Sequence, residues 1–242
     1  METKSSSRPT RKSDKVSVIF MQLVLLFTVN LIAANIFETK EIAVGGLTLT
    51  GGLVIFPLTY VICRAVCEVW GFQRACLLIW LGFLMNFLFL AMSTVVDVIP
   101  GIEGADDINR GFHAIFGLSP RIAIGSFIAF LAGSFVSAYT MSRRKQKGGT
   151  LAGRLALSSL FGEAADSIVY FPIALLGVLT VKEMFIQMAL QFVLKALYEI
   201  VLIPAVAPTI NRLKQLEGPD AHDQEVGYGL FEVFKRKDNT MS

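Results

Sequence analysis

Charge is scarce in this chain of 242 residues: Asp, Glu, Lys and Arg together make up 17% of it, against 54% hydrophobic residues. With a mean hydropathy of +0.61 the composition lies outside that of soluble globular domains and points to an integral membrane protein. Histidine is rarer still. The two present, His113 and His222, fall in polar connections, and the sequence contains no H-E-x-x-H, G-x-S-x-G or Walker stretch, which argues against an intramembrane enzyme and against ATP hydrolysis by this chain. The three cysteines are Cys63, Cys67 and Cys76. The first two stand four apart in one apolar run, which disfavours a dithiol redox pair or a zinc site and suits small packing residues. No cofactor is implied. The net charge of +3 is small and its cations collect at the ends of apolar runs, so no nucleic-acid partner is indicated.

What the chain does have is long apolar runs. Six reach the roughly 17 residues a bilayer span needs, near 16–36, 53–70, 76–97, 121–142, 155–179 and 183–208. Arg8, Arg11, Lys12 and Lys15 precede the first, which predicts a retained helix and a cytoplasmic N-terminus. The other basic connections then fall on the same side: Arg74, the run from Arg143 to Arg154, and Arg212 with Lys214. The acidic connection with Asp97, Glu103, Asp106 and Asp107 falls on the opposite side. The predicted fold is therefore an all-α bundle of six transmembrane helices with both termini cytoplasmic: a basic tail over 1–15, the bundle over 16–212 and a polar tail over 213–242. The long outer connection, 98–120, is open to two readings, a solvated loop or a short interfacial helix over 109–116 that could act as a lid.

Six ionisable side chains lie inside these spans: Arg64, Glu68, Glu163, Asp166, Lys195 and Glu199. A charge near the bilayer centre costs roughly 2.5 to 3.5 kcal/mol on insertion scales, so such groups face an interior or a polar cavity. Helical spacing sorts them into three stripes. The stripes are Tyr60, Arg64, Glu68; Ser159, Glu163, Asp166, Tyr170; and Gln187, Gln191, Lys195, Glu199. At about 1.5 Å of rise per residue, Arg64, Glu163, Asp166 and Lys195 share the midplane, with Glu68 and Glu199 roughly 6 Å nearer the cytoplasm. Interhelical salt bridges would explain part of this, although carboxylates outnumber cations four to two. Asn86 reads either as a helix-to-helix hydrogen bond or as a site contact.

The runs Phe56-Pro57-Leu58-Thr59-Tyr60 to Glu68-Val69-Trp70-Gly71, Gly162-Glu163-Ala164-Ala165-Asp166-Ser167, and Lys195 to Glu199 with Pro204 resemble the queuosine precursor transporter family over about residues 20–212. The resemblance implies a bacterial or archaeal inner-membrane carrier of 7-deazaguanine bases, and a site built from Glu68, Glu163, Asp166, Lys195 and Glu199. Tyr60, Tyr170, Tyr198 or Phe171 would be its stacking platforms, and Gln191 and Asn86 further contacts. Where the family usually has an Asp four residues before the glutamate of the second span, this chain has Arg64, a cation that does not deprotonate in proteins. Either it pairs with Glu68, Glu163 or Glu199, or the ligand preference differs. The alternatives are a substrate-binding subunit of an energy-coupled vitamin uptake system and a transporter of another small purine-like or vitamin substrate. Partners are then a small molecule and the lipid bilayer. Proton coupling and oligomeric state stay open.

Overall fold

The computed structural model describes residues 17–44, 47–117, 120–177, 180–217 and Tyr228. The tails predicted over 1–15 and beyond Glu217 lie outside these residues, Tyr228 excepted. Seven helices are described: α1 (Val18–Glu38), α2 (Gly52–Trp70), α3 (Phe72–Val98), α4 (Asp106–Phe116), α5 (Pro120–Gln146), α6 (Leu151–Leu175) and α7 (Val181–Glu217). Two short strands, β1 (Glu41–Val44) and β2 (Leu47–Thr50), pair antiparallel between α1 and α2 with Glu41 opposite Thr50. The hairpin is absent from the all-helical expectation because four-residue strands carry little periodic signal beside 20-residue apolar runs.

Each predicted span corresponds to one helix. Five of these, α1, α2, α3, the 122–146 part of α5, and α7, are long and apolar enough to cross a membrane. The fifth predicted span coincides with α6, which has 25 residues but carries Arg154, Glu163 and Asp166 and falls outside that apolar group. The apolar side chains left exposed, such as Leu25 and Val29 on α1, Leu84 and Phe87 on α3, and Val193 and Val201 on α7, suit a hydrocarbon surround.

α2 occupies the middle of the bundle, with twelve of its 19 residues buried and neighbours on α1, α3, α5, α6 and α7. On α7 only Met184, Ala196, Glu199 and Ile210 are buried. That helix runs through Pro204 and Pro208 to Glu217, past the predicted span end at 208 and into the segment assigned to the tail. Its last turns persist because Ile210 is buried and Leu213 packs on the core, while Glu217 accepts a 2.6 Å hydrogen bond from Ser17, the N-cap of α1. Hydropathy alone does not register such an amphipathic extension. The predicted outer helix exists as α4, longer than expected by one turn at its start. It rests on α3, with His113 Nδ1 2.7 Å from Asp97 and Phe116 against Phe89.

α5 and α6 pack most closely of all. Gly162 lies against Ser137 and the Gly133 backbone, where an added Cβ would come within 2.8 Å of Ser137 Cβ and 3.2 Å of Gly133 O. Gly133 in turn faces Asp166 and Gly162. This approach holds the acidic stripe of α6 against the centre. Gly162→Val should therefore cost about 1 to 3 kcal/mol through overpacking. Gly125→Ala, which meets only Ile173 and Ala174 at 3.2 Å or more, should cost less than about 1 kcal/mol. Unfolding midpoints of the two purified variants in detergent check the order.

Candidate functional site

The i to i+4 spacing of Tyr60, Arg64 and Glu68 puts all three on one face of α2, and each meets a different set of partners. Tyr60 donates to Asp166 Oδ1 at 3.3 Å, and the opposite oxygen of that carboxylate accepts from Lys195 at 3.3 Å. Glu163 lies 3.9 Å from the same ammonium, and the Lys195 Nζ sits 4.7 Å above the Phe56 ring. One turn along, Arg64 forms a buried 2.9 Å ion pair with Glu199, whose carboxylate also accepts from the Ser159 hydroxyl. A further turn along, Glu68 is bound by Arg154 at 2.5 Å and Lys214 at 2.7 Å, while Lys145 donates to its backbone carbonyl. The six ionisable side chains, five buried and Lys195 partly so, thus form three layers.

Glu199 and Lys214 both reach α2, although the 15 residues between them rise about 22 Å and Arg64 to Glu68 rises only about 6 Å. α7 must cross or bend toward the end of α2 that carries Glu68. Pro204 and Pro208 lie in that interval.

The first layer borders a cleft. A cleft of about 780 Å³, its open mouth included, is floored by Asp166 and Lys195 and walled by Phe56, Phe127, Phe130, Tyr170 and Phe171. Asn35, Glu38, Asn86, Ser126 and Gln191 supply its remaining polar groups. Its lining is mostly apolar with a few converging polar groups, the make-up of a small-molecule site. A second chamber of about 430 Å³ shares Asn35, Asn86, Ser126 and Phe127 with the first and is bounded by Ile115 and Phe116 at the end of α4.

Among the predicted site residues, Asp166, Lys195, Tyr170, Gln191, Asn86 and Phe171 line the cleft. Tyr60 and Glu163 stand directly behind it, in contact with its charged floor. Arg64 and Glu199 do not line it, being occupied with each other, and Glu68 is two layers away among cations. Tyr198 is also displaced: its hydroxyl donates to the Val54 carbonyl at 3.2 Å. Four residues spaced correctly along their helices are thus set apart because lateral packing, not spacing, decides which groups border the void. Asn35 and Glu38 were missed. The signal was an amide within an apolar run and a carboxylate two residues past its predicted end, both on α1, outside the three stripes.

Residues 50–208 match the model of the family described as "Putative vitamin uptake transporter". The chain belongs to that family. "Probable queuosine precursor transporter" from Bacillus subtilis (strain 168) is 28% identical over 159 residues, which agrees with the queuosine precursor transporter motifs on α2, α6 and α7. The alignment covers 61% of this chain and 65% of the relative, just under two thirds of its length. No solved structure matches. By name the family is one of transporters and not of enzymes. The matched range holds the first two charged layers and, of the third, Glu68, Lys145 and Arg154 but not Lys214; it also leaves out α1, so Asn35 and Glu38 lie beyond it.

In this chain Arg64 occupies a pairing position: its cation neutralises Glu199. Removing one member of a buried pair strands the other charge, at about 3 to 5 kcal/mol. Arg64→Met should destabilise by that amount, whereas Arg64→Met combined with Glu199→Met should recover most of it. Denaturant unfolding of the single and double variants measures the difference.

Proposed function

We propose that this transporter carries queuosine precursors, 7-deazaguanine bases, across the inner membrane through the cleft above Asp166 and Lys195. The carrying observation is the cleft itself: an aromatic-walled cleft whose floor presents a carboxylate held between a tyrosine and a lysine. A guanine-like edge offers N–H donors that a carboxylate accepts in charge-assisted hydrogen bonds, and a flat deazapurine stacks on rings such as Phe56, Tyr170 or Phe171. Asp166 is assigned the donor edge, Lys195 its positioning, and Gln191 and Asn86 further polar contacts. Glu163 and Tyr60 support the floor. An aminomethyl-bearing precursor would add attraction to Asp166 and to Glu38 at the rim.

In this reading α6 crosses the membrane as the fifth of six spans, shielded from lipid on its acidic side by α2, α5 and α7, and both termini are cytoplasmic. The cations around Glu68 then lie at the cytoplasmic end, as the positive-inside rule asks. The cleft, bordered by Glu38 and Ile122 near the other ends of their helices, opens outward. Transport exposes it alternately to either side.

The test is accumulation of labelled queuine and its biosynthetic precursors in cells lacking their own carrier and synthesis pathway. Uptake should appear with the wild type and fall at least about tenfold with Asp166→Asn, as expected when a buried charged hydrogen bond to the ligand is weakened. Accumulation of none of these bases would reject the assignment. Uptake only in the presence of a separate ATPase and coupling protein would favour a substrate-binding subunit instead.

A further inference from the structure

Two asparagines on helices far apart in the sequence meet at the boundary between the two chambers. Asn35 of α1 donates through Nδ2 to the Leu31 carbonyl at 3.0 Å and to Asn86 Oδ1 at 3.2 Å. The orientation of both amides follows from the first bond. A backbone carbonyl only accepts, so Asn35 must turn its NH₂ toward Leu31. Asn86, facing that NH₂, must then present its oxygen. Two groups remain uncommitted among the described residues, the Asn35 oxygen, an acceptor, and the Asn86 NH₂, a donor. Both residues line the main cleft and the second chamber, and Asn86 is 4% exposed, so its free donor has little besides the cavity to meet.

A fixed acceptor beside a fixed donor is the complement of one chemical unit, a ring carbonyl next to a ring N–H. We infer that Asn35 and Asn86 together read the lactam edge of the substrate, Asn86 Nδ2 donating to the ring carbonyl and Asn35 Oδ1 accepting from the adjacent N–H. The inference rests on the transport reading above and sharpens it, because it leaves the exocyclic amine to Asp166 and divides the edge of the base between two sides of the cleft. It also makes the asparagine pair the selector of 6-oxo over 6-amino bases. A 6-amino base brings a donor to the Asn86 NH₂, and a buried donor left facing a donor loses its hydrogen bond.

Binding to the purified transporter is measured by calorimetry with three probes: 7-deazaguanine, 2,6-diamino-7-deazapurine and the 6-unsubstituted 2-amino analogue. The wild type should bind the 6-oxo base at least about tenfold more tightly than either of the others. Asn86→Asp keeps an oxygen for Asn35 to donate to but loses the free donor. It should shift the preference toward the 6-amino probe by at least about tenfold. Equal wild-type affinity for the 6-oxo and 6-unsubstituted probes, or an unchanged order in Asn86→Asp, would overturn the inference and leave the pair as a helix-to-helix hydrogen bond. Should Asn86→Asp fail to fold, the wild-type comparison of probes decides alone. A wild type that binds none of the three overturns this inference, while the transport reading stands or falls separately on the uptake of queuine and its precursors, so the two failures are distinguishable.

Discussion

The architecture depends on keeping α2 charged and buried at once. Arg64 sits at the centre of the bundle with its guanidinium on Glu199, and Ser159 donates to the same carboxylate, so a single ionic contact joins α2, α6 and α7. An unpaired ion at that depth would cost several kcal/mol. The three helices are therefore obliged to stay in register, and everything above and below inherits that register. Tyr60, one turn away, is delivered to Asp166, and Glu68, one turn the other way, is delivered to Arg154 and Lys214.

The close approach of α5 and α6 works with this constraint. Gly133 and Gly162 let the two backbones meet, which holds the acidic face of α6 against α2 and away from lipid. The aromatic residues then enclose the void that the polar layers leave open. Phe127 and Phe130 come from α5, Phe56 from α2 and Phe171 from α6, so the cleft exists only where four or more helices converge.

Much of the fold was legible because hydropathy over 20 residues is a strong signal and loop charge an independent one. The positions of six helices followed from them, whereas the outer connection stayed open between a loop and the helix that α4 proves to be. The hairpin and the last turns of α7 did not follow, since the first is too short to show a period and the second is stabilised by packing of Ile210 and Leu213 and by the Ser17 to Glu217 bond. Of the residues singled out by helical spacing and the resemblance, Asp166, Lys195, Tyr170 and Gln191 line the cleft, together with Asn86. Asn35 escaped because a lone asparagine in an apolar helix has no partner visible in one dimension. Its partner, 51 residues away, is chosen by how α1 lies against α3.

By itself the sequence determined the class of protein, the helices, and the buried charges that must find partners, because transfer energies and helical periodicity act locally along the chain. It could not determine who pairs with whom. Arg64 had three carboxylates to choose among, and the cations around Glu68 come from α7 through Lys214 and from α6 through Arg154. Those choices were decided by tertiary packing, since a salt bridge or a cavity wall requires side chains from separate helices within a few ångströms. Separation along the chain carries no information about such distances.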